Sequence, residues 1–137
     1  MKSIIRIASA ILLDKEGNLL VVRKKKSKYY MLPGGKIEPQ ETLIETLLRE
    51  LHEELGIKLE ASDFQFLGTH RTEAVNESDT TVEGNIFKLI QPLQQKINNQ
   101  AEIEEFAWLS KKSYSNYLLA HLLSEFALPR WLNDFKD

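Results

Sequence analysis

Three glutamates, Glu50, Glu53 and Glu54, stand at i, i+3 and i+4 near the end of the segment "PGGKIEPQETLIETLLRELHEELGI". On a helix, at about 100° per residue, they fall on one arc and their side chains converge. Like charges so spaced repel by roughly 0.2–0.5 kcal/mol per pair on an exposed face. The repulsion grows beside an apolar stripe and near the negative end of the helix dipole. A positive counter-charge is called for. Arg49 is the one basic side chain inside the cluster, and a divalent cation would compensate more fully. The chain has no Cys and no paired His, so the donors are hard carboxylate oxygens. Such a set suits Mg²⁺ or Mn²⁺ better than Zn²⁺. The competing reading is a solvated charged face, which predicts no cation binding and little effect of Glu53→Gln or Glu54→Gln.

The element that must carry these carboxylates is a helix over Glu41–Leu55. Ile44, Leu47, Leu48, Leu51 and Leu55 form its apolar stripe. Acidic Glu41 falls in its first turn, and Gly56 sits where a left-handed cap would end it. Arg49 and Glu45, four apart, are expected to pair.

Around the helix, Ile4–Leu13 reads as a strand and Leu19–Lys24 as a β-rich return strand. The turn "DKEGN" between them predicts a hairpin. "KKKSKYY" is a basic loop ending in aromatics, and "MLPGG" is a short extended piece. "FQFLGTHRTEAV" and "TVEGNIFKLI" read as two strands joined by "NESD". "EEFAWLS" is a short strand, and Asn116–Phe126 an amphipathic helix. Strands and helices mix without regular βαβ alternation, which predicts an α/β fold with a mixed sheet covered by helices.

The 137 residues suit one domain, spanning 1–137. A hydrophobic share of 42% against 28% charged residues is a globular balance. The net charge of −2 gives no overall pull toward nucleic acid or anionic membrane. No stretch approaches the ~20 apolar residues that span a bilayer, and the alternation in "IIRIASAILL" suits a strand better than a signal peptide. A cytoplasmic protein with a small-molecule ligand is the default expectation.

Written out, the segment is Gly35, five residues, Glu41, seven residues, Arg49-Glu50-Leu51, one residue, Glu53-Glu54, one residue, Gly56-Ile57. It resembles the Nudix box, G-x5-E-x7-R-E-U-x-E-E-x-G-U with U aliphatic, at all nine specified positions. The resemblance implies an α/β/α sandwich and a Mg²⁺-dependent (or Mn²⁺-dependent) hydrolase of a nucleoside diphosphate linked to a moiety X. Glu50, Glu53 and Glu54 are then metal ligands, with Glu50 or Glu53 also orienting or deprotonating water. Glu41 and Arg49 orient the ligands, and Gly35 lets the backbone approach, its carbonyl a further ligand. Gly34 and Pro33 shape that loop. Compact triphosphates are the expected substrates, including oxidised ones as in MutT-like enzymes. ADP-ribose, nucleotide sugars and dinucleoside polyphosphates are alternatives, as is a non-catalytic nucleotide-binding module. Monomers and dimers both occur in the family.

Outside the box, the family pattern of one further carboxylate is matched by Glu104 or Glu105, with Glu102 beside them and Glu83 a weaker case. Among the basic run, Arg23 and Lys28 are the preferred phosphate contacts, with Arg71 a similar candidate. Tyr30, Tyr29 and Asn85 are candidates for stacking on or hydrogen-bonding a base. Phe87 and Trp108 suit core packing equally well. His70 reads as structural, His52 as exposed and His121 as packed within its helix. Trp131 is expected to cap the C-terminal helix or meet a second subunit.

Overall fold

The computed structural model describes residues 3–136. Period-two alternation in the central strands sends apolar side chains to both faces. From β1 (Ser3–Ile11) and the residue after it, Ala8, Ala10 and Leu12 point into one core and Ile7 and Ile11 into a second. In β2 (Leu19–Lys24), Leu20 and Val22 join the first core, Leu19 and Val21 the second. A sheet apolar on both faces must be covered on both. Helix α1 (Leu43–Leu55) covers one with Leu47, Leu51 and Leu55. The C-terminal helical segment covers the other with Leu122, Leu123, Phe126 and Trp131. The result is the expected α/β/α sandwich.

The larger sheet also contains β3 (Gly34–Lys36), β4 (Phe64–Glu73) and β5 (Thr80–Leu89), in the order β3-β1-β5-β4. Strands β1 and β5 are parallel, and the outer pairings are antiparallel, so the sheet is mixed. The hairpin expected of β1 and β2 does not form. Only the turn closes, with Leu20 N–H donating to Leu12 O at 2.9 Å. Beyond it β2 leaves the sheet and pairs with β6 (Ile103–Leu109) in a separate two-stranded sheet. Neighbours of β1 are instead β3 and β5, whose long-range pairing no local turn signal announces.

Helix α1 starts at Leu43, so Glu41 precedes it rather than occupying its first turn. Thr42 is the N-cap. Its Oγ1 accepts from Glu45 N–H at 3.2 Å while Glu45 Oε1 accepts from Thr42 N–H at 2.8 Å. This reciprocal box fixes the helix start and takes Glu45 away from the pairing with Arg49 expected from sequence. Gly56 ends the helix at φ 68°, as its position suggests.

The C-terminal helix is displaced from the expected Asn116–Phe126. A short 3₁₀ turn, Tyr114–Asn116, is followed by extended chain strapped to Tyr30. Tyr30 N–H donates to Leu118 O at 2.8 Å, and Ala120 N–H to Tyr30 O at 2.9 Å. Those bonds hold the backbone out of a helix until His121. The helical path then passes through a π turn, Leu123–Ala127, into α2 (Leu128–Leu132), with Pro129 in its first turn. Among the described residues no helix is long and apolar enough to cross a membrane.

Trp131 neither caps the helix nor offers a surface to a second subunit. It is 1% exposed, and its indole N–H donates to Gly17 O at 2.8 Å, closing the β1–β2 turn onto α2. Trp131→Phe keeps most of the apolar fill and loses that bond, so a loss of about 1 kcal/mol is expected in urea unfolding. Trp131→Ala, which opens a cavity, is expected to lose about 3–5 kcal/mol.

Candidate active site

The register of β1 with β3 places Gly34 opposite Ser9 and Gly35 opposite Ala8, directly under α1. No side chain fits there. A Cβ on Gly35 would stand 2.2 Å from Glu50 Oε2. One on Gly34, at φ 147°, would stand 2.1 Å from Ala8 O. The bare backbone lets the carboxylate-bearing helix face close against the strand.

Glu54 uses that space. Its side chain is buried, 5% exposed, and Oε1 accepts from Gly34 N–H at 3.2 Å. Burial raises its pKa to about 7, opposed by the positive charge of Lys24 and by the Gly34 N–H. The nearby charges of Glu50 and Glu102 add to the rise. Burial also raises Glu50, with Arg49 acting against it. The sequence expected these glutamates to be crowded but did not show that one of them is buried.

Arg49 links the others. It donates to both oxygens of Glu41, at 2.7 and 3.0 Å, to Glu50 Oε1 at 3.0 Å and to Lys36 O at 3.2 Å. Glu53 lies 3.4 Å from the same guanidinium. Glu41 also accepts from Thr46 Oγ1 at 2.7 Å and from Glu38 N–H at 3.0 Å. Its carboxyl is held down at about 2, chiefly by Arg49 and then by Thr46. Glu41 is thus bonded to Arg49, and Arg49 in turn to Glu50.

The three box glutamates do not converge as the wheel suggests. Glu50 and Glu53 turn toward Arg49, and Glu54 toward Gly34. Among the described residues no three His, Asp or Glu side chains are gathered into a formed cation site. The donor chemistry nevertheless fits a hard divalent ion. It offers carboxylate oxygens alone, one of them buried and lacking an ion pair, beside a glycine ledge with no Cβ to block approach.

A cleft of about 360 Å³ opens from this ledge. Gly34, Gly35 and Lys36 form its floor next to Ser9, and Lys24, Glu102 and His121 stand on its walls. Ile5, Ile7, Met31, Leu32 and Val82 supply an apolar lining.

Of the residues expected to bind substrate, Gly34 lines this cleft and the others lie outside its lining. Arg23 is held by Glu105 at 3.0 Å and by Ser27 O at 2.9 Å. Tyr30 donates its hydroxyl to the same Glu105. Lys28 lies 5.7 Å from the Tyr29 ring centre. Arg71 is bound to Glu83 at 2.7 Å, and Arg6 reaches that carboxylate at 3.2 Å. Asn85 is buried, its carbonyl oxygen accepting from Thr69 Oγ1 at 2.8 Å and its amide donating to Ile7 O at 3.1 Å. Glu105 is thus committed elsewhere, Glu104 is exposed on β6, and Glu102 is the acidic side chain of that group at the cleft. Phe87 packs in the core, and Trp108 packs against it.

His52 is exposed as expected, and His70 pairs with Glu125 at 2.8 Å. His121, expected to pack within a helix, heads the C-terminal segment at the cleft. Its Nδ1–H donates to Glu73 O at 2.8 Å. Lys24 belongs to the basic run singled out in the sequence, whereas the positions of Lys36 and His121 at the cleft were not anticipated. Lys36 adjoins the glycine pair and was findable by that adjacency, whereas His121 is brought in only by the strapped segment before it.

A family model described as NUDIX domain matches residues 4–128. The chain belongs to the NUDIX domain family. It is 37% identical over 60 residues to an 8-oxo-dGTP diphosphatase of Proteus vulgaris, covering 41% of this chain and 54% of that protein. It is 32% identical over 68 residues to the CTP pyrophosphohydrolase of Escherichia coli K12, covering 47% of this chain and 49% of that one. The chain spans about half the length of these curated relatives in its matches. The crystal structure of a MutT protein from Methanosarcina mazei Go1 superposes with a TM-score of 0.69 at 26% identity. It covers 98% of this chain and 91% of that one.

Burial of Glu54 generates a pH signature in the metal-free NUDIX protein. Its folded pKa of about 7 lies above the unfolded value near 4.5. Its stabilising effect is therefore fully present below the unfolded value and lost as pH rises through 7. Glu54→Gln, which cannot ionise, removes that loss. With EDTA present, the variant's stability relative to wild type is expected to rise by about 2 kcal/mol between pH 5 and pH 8, read by urea unfolding. A gap independent of pH would mean that Glu54 is not buried as a carboxyl group.

Proposed function

We propose that this NUDIX protein is a metal-dependent hydrolase of a nucleoside diphosphate linked to a moiety X. Nucleoside and deoxynucleoside triphosphates, oxidised ones included, are its principal substrates. The observation that carries the reading is the buried carboxylate of Glu54 hydrogen-bonded to Gly34, while Glu50 packs against Gly35, beneath the two glycines that line the cleft. A buried carboxylate without an ion-pair partner disfavours the apo state unless charge is brought to it. The 8-oxo-dGTP diphosphatase and CTP pyrophosphohydrolase names of the curated relatives support the nucleotide class.

In this reading Glu50, Glu53 and Glu54 hold the ion, with the Gly35 carbonyl beside them. Held there, Mg²⁺ or Mn²⁺ would neutralise phosphate charge and make the attacking water more acidic. The protein's share is positioning and proton handling. Arg49, anchored on Glu41 and Lys36 O, aims Glu50 and Glu53. The apolar cleft wall excludes water from the nucleoside end. Water oxygen forms a new bond to one phosphorus as the bridging P–O bond breaks. Its proton passes to Glu50 or Glu53 and then to solvent. A triphosphate yields the monophosphate and pyrophosphate. A cytoplasmic setting, with nucleotides and Mg²⁺ to hand, belongs to the same proposal.

The test is a substrate panel with Mg²⁺, read by ³¹P NMR. It should include canonical and oxidised triphosphates, ADP-ribose, nucleotide sugars and dinucleoside polyphosphates. Metal-dependent cleavage is expected, falling by at least about 100-fold in Glu53→Gln and Glu54→Gln. Retained activity in both variants would overturn the assignment of the carboxylates. Nucleotide binding without turnover of any panel member would replace the hydrolase by a binding module.

A further inference from the structure

The arginines around the cleft are already engaged. Arg6 and Arg71 share Glu83, Arg23 is held by Glu105, and Arg49 by the box glutamates. By contrast, no ion pair among the described residues includes Lys24, Lys25 or Lys26. These three line a second opening of about 490 Å³ with Ser27, Asn76 and Glu102. The opening shares Lys24, Asn76 and Glu102 with the cleft, so the two adjoin across these side chains.

The loop that presents these lysines is rigidly built. Ser27 N–H donates to Lys24 O at 3.1 Å, and Lys25 N–H to Glu102 O at 2.9 Å. Lys26 takes φ 70°, a left-handed conformation unusual for lysine. The Ser27 side chain is buried. Its Oγ accepts from Asn76 Nδ2 at 3.2 Å and from Tyr29 N–H at 3.1 Å. Arg23 fixes Ser27 O from beneath. Three consecutive lysines are thus carried on one backbone turn tied at both ends and at its centre, beside an opening in whose lining Glu102 is the one carboxylate.

We infer that the Lys24–Ser27 turn is a subsite for the outer phosphates of an oligophosphate chain. It selects nucleoside triphosphates over diphosphates capped by a neutral sugar. The inference rests on the hydrolase reading for the position of the reacting phosphorus, which lies at the Gly34–Gly35 ledge. From that ledge the apolar cleft takes the nucleoside, and the shared wall at Lys24 leads to the lysine turn. A chain of phosphates carries charge into that opening, whereas a sugar brings none. Multiple charge-assisted contacts from a preformed turn favour the charged tail.

The test pairs Lys25→Gln with Lys26→Asn, Asn being suited to the left-handed position. For a triphosphate, KM is expected to rise at least about tenfold with kcat little changed. For a nucleotide sugar, kcat/KM is expected to shift less than about threefold. Calorimetric titration with inorganic tripolyphosphate in EDTA gives a readout independent of turnover, and the double variant is expected to lose at least about tenfold in affinity. Removing two lysines outside both openings, Lys58→Gln with Lys112→Gln, controls for net charge and is expected to leave tripolyphosphate binding unchanged. Unaltered triphosphate KM in the double variant, or equal losses on both substrate types, would overturn the subsite while leaving the hydrolase intact. Lysine-dependent tripolyphosphate binding in a protein that hydrolyses nothing would uphold the subsite and remove the hydrolase reading.

Discussion

The architecture around the site depends on burying one carboxyl group, that of Glu54, at the contact between α1 and β3. The apolar stripe of α1 demands close packing on the sheet, and Glu54 sits at the edge of that stripe. It therefore enters the contact along with Leu51 and Leu55. Burial of a carboxylate is tolerated only with a donor and with nearby positive charge. The Gly34 N–H supplies the donor, and Lys24 part of the charge. Both depend on backbone that can approach closely, and so on two successive glycines in β3. The β1–β3 register follows from the same requirement, because a Cβ at Gly34 would collide with Ala8 O and Ser9.

Arg49 solves a different part of the same electrostatic problem. With Glu38, Glu41, Glu50 and Glu53 all within reach of one guanidinium, repulsion along the helix becomes a network. Its planar fork grips both oxygens of Glu41, which lies before the N-cap and is itself tied to the helix by Thr46. The approach loop, the cap and the acidic face are therefore one mechanical unit. Partial exposure of the pairs keeps each individual contribution to stability modest. Their value is in orientation. The guanidinium holds Glu50 and Glu53 on one side, and Glu54 is left without an ion pair on the other. That asymmetry separates the three glutamates chemically although their sequence spacing makes them look equivalent.

What the sequence made legible was whatever depends on local spacing. The apolar stripe and Gly56 marked α1 to within two residues of its start, and the box positions located the acidic face. The mixing of strands and helices without regular βαβ alternation announced a mixed sheet covered by helices. Long-range pairing was not legible in the same way. The turn at Asp14–Asn18 forms, yet β2 departs to β6, because the local turn signal carries no information about which distant strand offers a better partner. Glu45 could pair with Arg49 or cap Thr42, and the spacing permits both. The capping box won because it satisfies two otherwise orphaned N–H groups. Arg23, Arg71, Glu105 and Asn85 looked free in sequence for the same reason. Their partners lie 82, 12, 75 and 16 residues away; the two shorter spacings are cross-strand pairs of β4 and β5, and the two longer ones join distant segments.

These engagements also explain how a chain of net charge −2 presents a basic surface where an anion would arrive. Several arginines are spent on the protein's own carboxylates, and the lysines of the Lys24–Ser27 turn have no ion pair among the described residues. Guanidinium groups suit fixed, bidentate contacts, and ammonium groups on flexible stems suit a ligand that comes and goes. The partition follows that chemistry: arginine organises the protein's own carboxylates, while lysine faces the opening. The acidic face of α1 and the basic Lys24–Ser27 turn show that the local field depends on the placement of charge more than on its sum. Lys24 belongs to both sides, lining the two openings and acting electrostatically on Glu50 and Glu54.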